Sequence, residues 1–243
     1  MRSLAPAQCL AYLHAEVDRF NALLPDADFA APVAACPGWT VEDLVRHQGN
    51  VHRWAEQIAR TGELKRNGDE GPSETADLAA WFREGAALLT STLETVNPED
   101  SGWSLSKADQ TRRFWFRRQA QETFVHRIDL ETALQAPSPR DAVLAADGVG
   151  EVFDVFLQRM LDRGDATEIV APVALQATDV DAAWTIQTDR SITDGASGDA
   201  LIEGPAEALL LLLWKRIDSH DSRLVLSGSA PALDSVTGGR LTP

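Results

Sequence analysis

Over the first 135 positions, apolar residues recur every three or four places, the period of a helix with one buried face. In the segment 4–24 the apolar positions are Leu10, Leu13, Val17, Phe20 and Leu24. A loop rich in proline and glycine follows. The stretch TVED, beginning at Thr40, then has the form of a capping box, with Asp43 in place of the preferred Glu. The helix it opens is expected to run to Arg60. A third helix is expected over 74–96, carrying Leu78, Trp81, Ala86, Leu89 and Leu93, and a fourth over 112–134. Polar connections such as TGELKRNGDEGP and NPEDSGWSLSKADQ join them, so the pattern predicts a four-helix bundle.

Past APSPR (136–140) the pattern changes, as at a domain boundary. A fifth helix is expected over 142–163. The stretches VAPVALQATDV, AAWTIQTDR and DALIEG then alternate as strands do, with turns between them. PAEALLLLLWKRI opens with proline, as helices often do, RLVLSG reads as another strand, and PALDSVTGG as a short terminal helix. The expected organisation is a bundle over 1–138 and a small α+β domain over 139–243.

Composition adds exclusions. The formal net charge of −15 repels phosphate backbones, so no nucleic-acid partner is expected. RRFWFRR (112–118) could hold an anion, but in so acidic a chain it reads better as a mixed-face helix start. The longest apolar run, ALLLLLW (208–214), falls far short of the roughly 20 residues that span a bilayer, so no membrane span is expected. Acids soon after the first apolar stretch argue against a secretory signal, and the expected location is cytoplasmic. Cys9 and Cys36 lack CxxC spacing, which gives neither a disulfide framework nor a thiolate zinc cluster. Any metal is then expected on nitrogen and oxygen ligands.

The chemistry concentrates in QETFVHRIDL (121–130). Residues four apart on a helix differ by only about 40° and those seven apart by about 20°, so Glu122, His126 and Asp129 line one stripe. Phe124, Val125 and Ile128 make the neighbouring faces apolar. Ionisable groups inside a bundle are expensive unless paired or metal-bound, and bundle cores build metal sites from inward-facing carboxylates and histidines. A further ligand would come from another helix. On the second, Leu44, His47, Val51 and Trp54 follow the spacing of a buried face, which turns His47 inward. Two readings then stand: a core histidine bonded to a carboxylate such as Asp129, or a metal ligand. His52, about 140° further round, cannot share that site. His14 and His220 fall on a partly polar face and in a polar turn. A set of His47, Glu122 and His126 would leave one coordination position open, as catalytic zinc sites do, with Asp129 suited to fixing the tautomer of a ligating histidine. The same donors accept other divalent transition metals.

CPGWTVEDLVRHQGNVHRWA (36–55) and ETFVHRIDLETAL (122–134) together resemble the mycothiol-dependent maleylpyruvate isomerase family of actinobacteria. AADGVGEVFD (145–154), the pair Asp179 and Trp184, and EGPAEALLLLLWKR (203–216) extend the resemblance over nearly the whole chain. It implies a DinB-like metal-binding four-helix bundle followed by a sterol-carrier-like α+β domain. It further implies zinc on His47, Glu122 and His126, mycothiol as thiol cosubstrate, and arginines that hold anionic groups, for which Arg83 and Arg216 are the candidates. The implied reaction is addition of a zinc-activated thiolate to maleylpyruvate, rotation about the new single bond, and expulsion of the thiolate to give fumarylpyruvate. The expected partners are thus a small-molecule thiol and an electrophilic substrate. Without the expulsion step the same chemistry is a thiol S-transferase that conjugates electrophiles or xenobiotics. A further alternative is a non-enzymatic protein that binds an apolar ligand in its second domain.

Overall fold

The computed structural model describes residues 3–65, 71–165 and 167–242. Residues 1, 2, 66–70, 166 and 243 lie outside these, and with them the middle of the polar loop expected over 61–72 and the outermost ends of the two expected domains. Two compact units are present, Leu4–Pro139 and a second from Arg140 onward.

The first unit is a bundle of four helices: α1 (Pro6–Leu23), α2 (Val41–Thr61), α3 (Leu78–Thr95) and α4 (Arg113–Ala133). Helix α1 packs on α4 and α3, and α2 packs on α3 and α4. The expected capping box forms at the start of α2. The Thr40 amide donates to Asp43 Oδ2 at 2.9 Å, and the Asp43 amide donates to Thr40 Oγ1 at 3.4 Å. Gly62 ends α2 at a φ of 77°, a left-handed conformation that glycine adopts without strain.

The buried face of α2 differs from the expected one. Leu44, Val45, Gln48, Gly49, His52, Ala55 and Ala59 are buried, whereas His47, Val51 and Trp54 stand at the rim. The apolar spacing of 44, 47, 51 and 54 matched a helix face, but small and polar side chains occupy the interior one. In α3 the core aromatic is Phe82, and Trp81 beside it is only half-buried.

Helix α4 is buried on nearly every side from Phe114 to Glu131. Even its charged residues are interior. Arg127, fully buried, bonds to Glu16 of α1 and donates to Glu131 Oε1 at 2.6 Å and Ser138 Oγ at 2.9 Å. Breaking a buried ion pair of this kind costs about 3–5 kcal/mol, so the network fixes α4 against α1.

The second unit is α+β. Helix α5 (Ala142–Glu151) continues through a π-helical stretch, Val152–Leu157, into α6 (Gln158–Arg163), over the span expected for one helix. Strands β1 (Val173–Ala177), β2 (Ala183–Ile186), β3 (Ile192–Asp194), β4 (Ala200–Gly204) and β5 (Val225–Gly228) form one sheet in the order β3-β2-β1-β4-β5. Among the described residues, only β1 and β4 run parallel. The edge strand β3 was not expected: it has three residues, two of them exposed, too short for alternation to register. Helix α7 (Ala206–Leu213) stops short of the expected Ile217, because Lys215 takes a φ of 59°. Helix α8 (Ala230–Thr237) closes the chain. Leu209 to Leu213 are all buried, so the long apolar run is core. No helix among the described residues is long and apolar enough to cross a membrane.

Candidate metal centre

His47 is on α2, and Glu122, His126 and Asp129 are on α4, so contact between these two helices decides what the stripe meets. His47 Nε2 lies 3.3 Å from Glu122 Oε1, and His126 Nε2 lies 3.4 Å from the same oxygen. The imidazole rings stand edge to face with centroids 5.0 Å apart. One ligand atom from each of the three residues falls within 4.8 Å of the other two. Asp129, buried, does not pair with His47; its Oδ2 is 2.9 Å from His126 Nδ1. That contact takes the far nitrogen of His126 and turns Nε2 toward Glu122.

The second oxygen of Glu122 is held separately. Arg118, one turn earlier and almost fully buried, donates from Nη2 to Glu122 Oε2 at 2.7 Å. Burial alone would raise the pKa of Glu122. The Arg118 charge and the hydrogen bonds from both imidazoles outweigh it and hold the carboxyl well below its usual range. His126 shows the complementary effect: burial disfavours the imidazolium, but Asp129 and Glu122 overcome it and raise the pKa to about 9.

A deeper polar layer lies behind. Buried His52 contacts Thr123 Oγ1 at 3.0 Å and Gln48 Nε2 at 2.8 Å through its Nε2. Burial drops its pKa to about 3, so it is neutral. It stays outside the His47 cluster, as the helix angle requires.

The loop before α2 closes one side. Trp39 lies tilted against His47 with ring centroids 5.0 Å apart, and a ligand atom from each of Cys36, His126 and Asp129 falls within 4.8 Å of the others. Neither contact was legible in the sequence. The absence of CxxC spacing set sulfur aside, yet folding rather than spacing brings a thiol to His126. Arg118 was missed too, because RRFWFRR gives no sign of which arginine turns inward. The two expected arginines fall outside α2 and α4, one in each unit. Arg83 is exposed on α3 and makes none of the hydrogen bonds or ion pairs around Glu122. Arg216 belongs to the second unit, where Nη1 donates to the Trp214 carbonyl at 2.9 Å.

The donor set suits a metal. Zinc bonds to nitrogen and oxygen of about 2.0–2.1 Å give tetrahedral ligand–ligand edges of about 3.3 Å. The two spacings at Glu122 Oε1, 3.3 and 3.4 Å, have that length.

Residues 10–131 match the model of the mycothiol maleylpyruvate isomerase N-terminal domain, and residues 143–235 match that of the same family's C-terminal domain. The chain belongs to the mycothiol maleylpyruvate isomerase family. Two solved structures share the family's fold with this chain. One is a mycothiol-dependent maleylpyruvate isomerase, 12% identical, with a TM-score of 0.61 over 96% of this chain and 98% of that one. The other is a histidine-to-alanine mutant of the mycothiol-dependent maleylpyruvate isomerase, 11% identical, with a TM-score of 0.62 over the same shares. A search of curated proteins found no match. Both family domains are therefore present, bundle first and sheet second.

Proposed function

We propose that His47, Glu122 and His126 hold a divalent metal, zinc by the chemistry of the donors, and that the protein is a mycothiol-dependent metalloenzyme acting on an electrophilic substrate. The observation that carries this reading is the convergence of two imidazole Nε2 atoms on one carboxylate oxygen at 3.3 and 3.4 Å. Bound there, the metal would lower the pKa of a coordinating thiol and so supply a thiolate at neutral pH. The chain's own residues set the conditions. Asp129 holds His126 Nδ1, so that Nε2 is the nitrogen presented, and Trp39 packs against His47 at the rim. The family assignment supports mycothiol as the thiol and a cis–trans isomerisation like that of maleylpyruvate as the reaction. A thiol S-transferase would use the same residues and differ in keeping the thiol on its product. Binding of an apolar ligand by the second unit draws no support from the run 208–214, whose leucines are packed in the core.

The test is metal content by plasma mass spectrometry on the wild type and His126→Ala, purified side by side without chelator. About one metal per chain in the wild type, lost from the variant, is expected. A metal-free wild type that stays folded and takes up no added zinc overturns the reading. Product analysis with mycothiol then separates the reactions: fumarylpyruvate released with the thiol regenerated marks an isomerase, and a thioether that keeps the thiol marks a transferase.

A further inference from the structure

Arg118 and Glu122 sit four residues apart on α4 in the order that stabilises a helix less, since the acid is favoured toward the N-terminus and the base toward the C-terminus. The pair is also nearly buried, where desolvation offsets much of the attraction. Helix energetics thus give little reason for it. Its geometry gives another. Among the described residues, the polar contacts of Glu122 are divided between its oxygens: Oε1 faces His47 and His126, and Oε2 faces Arg118.

We infer that Arg118 is a positioning residue that confines Glu122 to ligation through Oε1 alone and so keeps a coordination position open for the thiol. This rests on the metal reading above. A carboxylate with both oxygens free can chelate a divalent ion through the pair. In Glu122 a chelating metal would have to compete for Oε2 with the guanidinium N–H, which that oxygen accepts at 2.7 Å. With three single-atom ligands, a fourth position remains for an incoming sulfur. Releasing Oε2 would fill it from within the protein, and the thiol would have to compete. The inference therefore separates two properties that loss of a merely structural residue would change together: the metal stays, and thiol access declines.

The test uses the full chain loaded with cobalt(II), whose visible bands report coordination number, and 2-mercaptoethanol as the thiol probe. Wild type, Arg118→Met and Arg118→Lys are compared. In the wild type, added thiol should bring up a near-ultraviolet sulfur-to-cobalt band. Arg118→Met should keep about one cobalt per chain, show weaker visible bands, and need roughly 10–100-fold more thiol for half-saturation. Arg118→Lys, which can still donate to Oε2, should recover part of that loss. If the Met variant does not fold by circular dichroism, Arg118→Gln, which removes the charge and leaves a shorter polar side chain with its donor set back from Oε2, takes its place. Bands and thiol titration equal to wild type in the charge-removing variant overturn the inference alone. So does cobalt uptake by the wild type with no thiol-dependent band. No cobalt uptake by the wild type overturns the metal reading and this inference with it.

Discussion

Two buried histidines on facing helices behave in opposite ways, and the difference lies in their neighbours. His126 has carboxylates against both ring nitrogens, and its pKa rises to about 9. His52 has an amide and a hydroxyl, and its pKa falls to about 3. In an unfolded chain both would titrate near pH 6.5. For the metal-free protein the signs follow by linkage. The stability that His126 contributes is fully present below pH 6.5 and is lost as pH rises through 9. His52 contributes the reverse, because below pH 6.5 the unfolded chain takes a proton that the folded one refuses. Between pH 6.5 and 5, His52 therefore lowers the stability as acid is added. Urea unfolding of the metal-free wild type should lose about 1.5 kcal/mol more between those pH values than His52→Gln does. Equal losses would mean that His52 is protonated in place. Glu122 and His126 were legible in the sequence because four-residue spacing on a helix forces them together. His52 was excluded from the cluster for the same reason, but its burial was not legible. No apolar stripe marks a position whose neighbours are Gln48 and Gly49.

The roll of α2 about its own axis decides whether His47 reaches Glu122, and the α2–α3 contact sets it through two reciprocal notches. A methyl at Gly49 of α2 would run into the Trp81 ring of α3, and one at Gly85 of α3 would run into the Arg53 guanidinium of α2. The two intruding side chains stack on each other, with the guanidinium carbon 4.0 Å from the indole centroid, and Arg53 Nη2 also donates to the Trp81 carbonyl at 2.6 Å. Alanine normally improves a helix by about 1 kcal/mol over glycine. Overpacking costs about 1–3 kcal/mol, so Gly49→Ala should lower the urea midpoint despite its better propensity. A raised midpoint would mean that the stacked pair moves aside without penalty. The existence and type of the bundle helices were readable from their period, and so was the cap at Thr40. Their faces were less so. On α2 the glycine notch and polar interior moved the buried stripe by about one position. On α4 no single face exists to be read, since both sides of the helix are packed.

All the side chains that form the candidate centre belong to the unit Leu4–Pro139. A fragment ending at Pro139 should therefore still take up about one metal per chain by plasma mass spectrometry. A folded fragment that binds none would show that the second unit is needed for loading. At this scale the break near APSPR was legible because hydrophobic periodicity changes there from helical to alternating. The contacts of Cys36 and Trp39 with the centre were not, since a loop's path depends on the packing it crosses. The interior position of α4 also bears on how such a protein can change over time. A helix with a wet side absorbs substitutions there at little consequence. From Phe114 to Glu131 this one offers almost none, so most innovation along it would require a matching change on another helix. The short segment that ends in Cys36-Pro37-Gly38-Trp39 touches the same side chains without that constraint, and this wall of the centre is the freer one to vary.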